Sequence, residues 1–366
     1  MGKMNMPSVI VSFNEKGISA IERSERGILA IILEDNAIEK PFTVYTVDDI
    51  PEKLNDYSKQ EIKLSLMGYQ NAPRKIRVYG IAELKEGETA DYTDTLKKLE
   101  TDRFDWLTIP AIKADKTADI ASWIKGMRTV KDVKVKAVLP NCAADNEGVV
   151  NFTNKVIKAG DKVYSTADYC ARVAGIICGT PMTISCTYAP APELTEVEAY
   201  TNDEMDEKCN KGEFFFFNDG EKIKVARGIN SFVTTMQGKG DDFKKIKLVD
   251  LMDMIHDDIK RTGHDSYIGK YANSYDNRCL LITAINGYFH TLESEGLLER
   301  GQNECFVDIE AVKNWRESNG LNTRDELEVM KNQTIKELNL HDNVFLGANL
   351  ALLDAIEQIT VKCSIE

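Results

Sequence analysis

Two stretches of this chain carry an apolar residue at every second position, and they stand at its opposite ends. Near the start, Val9, Val11 and Phe13 alternate with Ser8, Ile10 and Ser12; at the end, Ile359, Val361, Cys363 and Ile365 alternate with Thr360, Lys362 and Ser364. A period of two predicts a half-buried strand at each terminus. Such a strand either folds back into its own domain or presents an edge that another chain extends. The pattern alone leaves both outcomes open. It makes Val9, Ile10, Val11 and Phe13, with Ile359, Val361, Cys363 and Ile365, candidate inter-subunit contacts.

Between the ends the pattern has α/β rhythm. Residues 27–33 form a continuous apolar run, read as a buried strand, and 42–47, 75–79, 104–109, 134–139 and 149–152 are further strands. Helices are predicted over 59–69, 115–129 and 166–178, the last closed by Gly179-Thr180-Pro181. Strands alternating with helices argue for a layered α/β domain. After the break Ala189-Pro190-Ala191-Pro192, residues 193–208 carry an acidic run, read as solvated surface. Phe214 to Phe217, the turn Asn218-Asp219-Gly220 and Lys222 to Val225 predict a hairpin. Phe243, Ile246, Val249, Met252, Ile255 and Ile259 recur at spacings of three and four, an amphipathic helix. A helix over 275–295, a strand over 306–309, a helical turn over 323–331 and a strand over 344–352 follow.

The length of 366 residues suggests two or three domains. Hydrophobic residues make up 43% and charged residues 29%, which is ordinary for a water-soluble protein. A formal net charge of -13 opposes binding to a phosphate backbone, so no nucleic-acid partner is expected. No secretory leader or membrane-spanning run is legible, so no membrane insertion is expected. Met6 stands where myristoylation needs Ser or Thr. Eight cysteines form no C-x-x-C pair, and four histidines are scattered, so no metal site is expected; the cysteines read as small apolar residues in a reducing cytoplasm.

Catalytic patterns are missing from the sequence. It contains no G-x-G-x-x-G after a strand, no G-x-x-x-x-G-K-[ST] phosphate loop, no G-x-S-x-G elbow and no H-E-x-x-H. No cofactor is assigned and the chain is read as a non-enzyme. The alternative is a cytoplasmic α/β enzyme with an unidentified cofactor.

Several segments, in order over most of the chain, resemble the tail sheath proteins of contractile phage tails and R-type bacteriocins, in particular the short sheaths of Clostridium-type prophages. They are Met6 to Val11, Glu22 to Ile28, Glu147 to Phe152, Ala174 to Pro181, Gly212 to Gly220 with Val225-Ala226-Arg227-Gly228-Ile229-Asn230-Ser231, Tyr267 to Lys270, and Ala284 to Phe289. The resemblance implies a multidomain α+β and α/β fold. In it, a sheath core domain over 239–356 carries an inserted, outward-facing α/β domain over 21–238, with extended strand arms over 1–20 and 357–366. It implies a structural subunit that polymerises as stacked hexameric rings into a six-fold helical sheath and contracts to drive an inner tube through a cell envelope. Its partners would be further copies of itself, the inner tail tube protein, and baseplate and tail terminator proteins. It would be made in the bacterial host cytoplasm and become part of a virion tail or bacteriocin particle. The charged face of the helix over 243–261 is the candidate tube contact, through Lys244, Lys245 and Lys247.

Overall fold

Residues 28–34, Ile-Leu-Ala-Ile-Ile-Leu-Glu, have apolar side chains on both sides of an extended backbone, so both faces of the strand must be covered. The computed structural model, which describes residue 21 and residues 26–85 and 88–365, places this strand inside a seven-stranded sheet. The strands are β1 (Ile28–Glu34), β2 (Phe42–Val44), β3 (Lys75–Ile81), β4 (Trp106–Thr108), β5 (Lys136–Pro140), β6 (Val149–Phe152) and, after three short strands β7 (Ile157–Ala159), β8 (Lys162–Val163) and β9 (Glu196–Val197), β10 (Glu213–Phe214). Their order is β10-β6-β5-β4-β1-β3-β2, parallel throughout except for β2 at the edge.

Alternate residues of β1 feed two separate cores. Leu29, Ile31 and Leu33 pack with α1 (Asp56–Leu66) and α4 (Thr166–Cys178). Ile28, Ala30 and Ile32 pack with α2 (Thr93–Leu99) and α3 (Ala114–Thr129). Helix α4 starts where Ser165 and Asp168 cap each other's backbone, and it lies against α1 so tightly that a Cβ on Gly175 would stand 2.2 Å from the Ser65 carbonyl oxygen. Helix α2 lies in the stretch between the predicted strands 75–79 and 104–109, to which the sequence pattern assigns no element.

The run Phe214 to Phe217 is not one hairpin strand. Phe214 pairs with β6, whereas β11 (Phe216–Asn218) pairs antiparallel with β12 (Ile223–Val225). Asn154 divides them: its side-chain oxygen accepts from the Phe216 N–H at 2.7 Å and its amide donates to the Phe216 carbonyl at 3.1 Å. Phe216 then meets Phe152 and Tyr169 edge-on at 5.9 and 5.7 Å, while Phe215 turns to Tyr200 at 5.4 Å. The acidic run before it is partly ordered as α5 (Asn202–Asn210), opened by a reciprocal Thr201–Glu204 cap.

The amphipathic helix is α6 (Ile246–Thr262), preceded by a short 3-10 turn over Asp241–Lys244. Asp250, Asp253 and Asp257, at spacings of three and four, lie on one of its faces. All three meet cations carried by the sheet and its helices. Asp253 takes Arg128 end-on, at 2.8 and 3.0 Å, and shares Lys136 at 2.8 Å with Asp250 at 3.0 Å. Arg26 bridges Asp257 at 2.8 Å and Asp105 at 2.9 Å, and the other oxygen of Asp105 accepts from the Ile28 N–H at 2.9 Å. His256 bonds Asp257 at 2.9 Å and Asp132 at 3.0 Å. Lys136 is 1% exposed, so the shared carboxylates are what keep its charge inside the protein.

This network explains where the chain divides. The larger compact unit comprises the described residues of 26–258 with 295–299 and 352–365; the smaller comprises 259–294 and 300–351. The family resemblance implies a boundary at 238/239; the aspartates of α6 tie residues 246–258 to the larger compact unit.

In the smaller unit, α7 (Tyr275–Ser294), α8 (Ile309–Ser318), α9 (Arg324–Val329) and α10 (Asn332–Glu337) accompany a two-stranded antiparallel sheet of β13 (Glu304–Val307) and β14 (Leu346–Asn349). Val307, Val312, Ile335 and Leu340 are its buried centre, with Trp315 and Phe345 in ring contact at 6.1 Å. Asp308 caps α8, which the sequence pattern leaves unassigned.

Two buried carboxyls make opposite predictions. Asp253 is held down at about 2 by Lys136 and Arg128 against its burial, so its stabilisation is complete above the ordinary carboxylate range and lost as pH falls through about 2. Asp253→Asn removes the carboxylate that Arg128 and Lys136 share, leaving Lys136 to Asp250 and Arg128 to Glu147 at 3.5 Å, and is expected to lower stability by about 3 kcal/mol at neutral pH. Its deficit should shrink between pH 4 and pH 2, read by denaturant unfolding. Glu61 on α1 is 1% exposed, and neither of its carboxyl oxygens has a hydrogen-bond partner among the described residues. Burial first, and Asp168 second, push it up to about 8. A raised carboxyl favours folding below its unfolded value and opposes it as pH climbs toward 8. Glu61→Gln is therefore expected to stabilise the fold on the order of 3 kcal/mol at pH 8.5 and little at pH 4.5, measured by thermal melting at the two values.

Candidate functional site

A cavity of about 280 Å³ lies beside Arg26, Gly27, Arg74 and Asp105, which stand at the N-terminal ends of β1, β3 and β4. Ligands of open parallel sheets bind at the opposite, carboxyl ends of the strands. Of the charged groups facing the cavity, Arg26 is matched by Asp105 and Asp250 by Lys136, and Lys247 donates to the Leu353 carbonyl. Its thiols are poor nucleophiles, since burial pushes Cys178 well up and Cys186 to about 12. All eight cysteines are free, in line with the reading of small apolar residues, although Cys363 is exposed. Among the described residues no group of His, Cys, Asp and Glu could hold a metal ion, and no helix is long and apolar enough to cross a membrane.

A second group of polar contacts gathers around residues 352–357. Beyond β14, Leu352 bridges Leu298, and the Leu353 N–H donates to the Leu297 carbonyl at 3.0 Å. The ammonium of Lys247 donates to the Leu353 carbonyl, and Lys245 pairs with Asp354. Three residues later the Glu357 carboxylate enters a socket. One oxygen accepts from Arg227 Nε and Nη2, both at 3.1 Å; the other accepts from the hydroxyl of Thr187 at 2.7 Å and of Ser185 at 3.4 Å. Lys245 completes the ring of donors at 3.5 Å.

The socket accounts for the Arg227-Gly228 pair. A Cβ on Gly228 would lie 2.8 Å from Ser185 Oγ and 2.9 Å from Cys186 Sγ, so a side chain there would displace the wall that Glu357 rests on. The Gly228 N–H instead donates to Thr187 Oγ1 at 2.9 Å. The neighbouring Asn230-Ser231 stitches the same strand end inward. Asn230 donates to the Phe243 carbonyl at 2.8 Å, and the Ser231 hydroxyl donates to the Asn146 carbonyl at 3.0 Å.

Past Glu357 these contacts stop. None of residues 358–365 enters a strand among the described residues, and Ile359, Val361 and Ile365 are 80, 75 and 98% exposed. Cys363 is exposed as well. The N-terminal candidates Val9, Ile10, Val11 and Phe13 lie outside the described residues. The three lysines read as a charged helix face need correction. All three precede or open α6, where the chain turns back on itself. Lys247 is 7% exposed, and burial lowers its ammonium below the usual lysine range, with Asp354 opposing. Lys245 is held by Asp354 and Glu357, and only Lys244, paired with Asp241 at 2.8 Å, sits apart from the terminal segment. Glu357 and its socket escaped the sequence reading; their only sequence signal was the Arg227-Gly228 motif, which gives no hint of a partner 130 residues away.

Comparison with known proteins places this architecture. Residues 86–231 match the model of the phage tail sheath protein central domain, and residues 238–366 match that of the phage tail sheath C-terminal domain. The chain is 36% identical over 357 residues to the tail sheath protein of Clostridium phage phiCD119, covering 97% of this chain and 98% of that one. Its fold is similar to that of the helical sheath of the anti-feeding prophage in its contracted state, with a TM-score of 0.70 at 14% identity, covering 99% of this chain and 100% of the other. The sheath tail protein from Desulfitobacterium hafniense superposes with a TM-score of 0.69 at 20% identity, covering 82% and 94%. Family models over most of the chain, a full-length relative and sheath folds among solved structures agree, and the chain belongs to the phage tail sheath family, structural proteins of contractile injection particles.

Proposed function

We propose that this chain is the repeating subunit of a contractile sheath, which polymerises as stacked hexameric rings around an inner tube and contracts to drive that tube through a cell envelope. The reading is carried by the terminal segment: residues 358–365 alternate apolar and polar, yet their apolar side chains stand in water. A segment with strand patterning and no strand partner suits donation to another copy. The acceptor is β13–β14. Two strands alone make a marginal sheet, and both of its edges can be extended. Donated strands from the C-terminal and N-terminal arms of neighbouring subunits would complete it.

One arm binds weakly. Burying Ile359, Val361 and Ile365 yields about 1.5–3 kcal/mol each, and ordering the segment costs about 1–2 kcal/mol per residue. Strand hydrogen bonds, at roughly 1 kcal/mol each, leave a small surplus. A lattice in which each subunit gives and accepts arms multiplies that surplus, so the subunit stays soluble until a baseplate presents several copies together. Contraction is a rotation of rigid subunits between two packings, with strand pairing retained. The anti-feeding prophage sheath, whose fold this chain shares, is described in a contracted state. The inner tube protein, baseplate and tail terminator proteins are the expected partners, and the host cytoplasm is the site of synthesis.

Removing residues 358–366 is expected to leave a folded monomer, with an unchanged melting temperature, that no longer forms tubes on concentration where the full chain does, read by negative-stain electron microscopy. Tubes formed by the truncated chain would overturn the arm reading.

A further inference from the structure

Strand exchange requires a free segment; it does not require a buried carboxylate at that segment's root. Glu357 has only 9% of its side chain exposed, while Ile356 before it and Ile359 after it are 85 and 80% exposed. A carboxylate is drawn out of water at that position only because four side chains converge on it: Arg227, Thr187, Ser185 and Lys245. The paired Arg227 donors and the hydroxyl of Thr187 address different oxygens, which fixes the carboxylate plane as well as its position. Gly228 keeps the wall of the socket clear.

We propose that Glu357 is a positioning residue for assembly: a pin that sets the direction in which residues 358–365 leave the subunit and marks the point where load on the arm enters the larger unit. The proposal rests on the reading of that segment as a strand donor to a second copy of this chain. The pin does not hide the arm, because the apolar residues beyond it stay in water. Its effect is therefore to prepare the donor. A segment whose root is fixed samples fewer directions before binding, and the entropy lost on pairing falls accordingly. In a lattice where each arm contributes little, that difference decides the concentration at which polymer forms. It also confines the hinge. With Glu357 held, a subunit that rotates against its neighbour must absorb the motion in the residues between the pin and the paired strand, beginning at Gln358.

The test uses the full chain and three variants: Glu357→Gln, Arg227→Glu, and the exchange of both charges, Glu357→Arg with Arg227→Glu. Sedimentation gives the critical concentration for polymer, circular dichroism gives the melting temperature, and hydrogen exchange reports the amides of 353–357. Glu357→Gln is expected to raise the critical concentration about tenfold. Amide protection at 353–357 should fall, with the melting temperature unchanged. Arg227→Glu should be worse, and the charge exchange should recover assembly in part, which a general loss of fold would not allow. Assembly by Glu357→Gln at the wild-type concentration, in a protein whose truncation at 358 abolishes assembly, would overturn the pin while leaving the arm intact. Assembly by the truncated chain would overturn both. Should Glu357→Gln lower the melting temperature, the exchanged pair decides: recovered assembly supports the pin, and unrecovered assembly overturns it.

Discussion

The pairing of Asp253 with Arg128 and Lys136 is the interaction on which the terminal architecture of this subunit depends. It joins α6 to the sheet and α3 by charge, and it is too well buried for water to replace it. Buried ion pairs seldom add net stability over apolar packing, but they accept one geometry and reject its neighbours. Three aspartates on one helix face, each with its own cation, fix both the rotation of α6 and its position along its axis. Once α6 is set, Lys245 and Lys247 at its start are set too, and these hold Asp354 and the Leu353 carbonyl. Glu357 follows three residues later. The position of Glu357, beyond which the terminal apolar residues stand in water, is thus inherited, step by step, from a salt bridge in the core.

The sheet to which α6 is tied is open and parallel except at one edge. Its topology is of the kind that binds nucleotides in other proteins, yet the cavity stands at the amino ends of the strands, and both carboxylates that line it are paired with cations. Fold and function separate here, as they do for other widely used architectures. The layered domain is a stiff body, with β1 feeding apolar residues to both faces.

Much of the fold was legible because short-range rules govern it. The continuous apolar run of β1, the small-residue helix α4 with its Ser165 cap, and α6 and α7 all follow from spacing and termini. Signals were also present where none was read: Thr201 and Glu204 form a capping box inside what looked like a solvated acidic run, and Asp308 opens a helix. The division of the Phe214 to Phe217 run was not legible. It depends on Asn154, some 60 residues away, whose amide takes the backbone bonds that a continuous hairpin would need.

By itself the sequence determined the alternation of strands and helices, the absence of familiar catalytic patterns, and the strand periodicity of the terminal segment. These are properties of neighbouring residues, and periodicity reports them directly. Only the tertiary structure decided what the charged residues do. Lys245 and Lys247 read as a solvated face because charge normally seeks water; folding instead turned them toward Leu353 and Asp354. Glu357, one of 59 acidic residues, became distinct only when Arg227, Thr187 and Ser185 were brought around it. The worth of a charge is set by the distance to its partner and by the water excluded between them, and neither quantity is written along the chain.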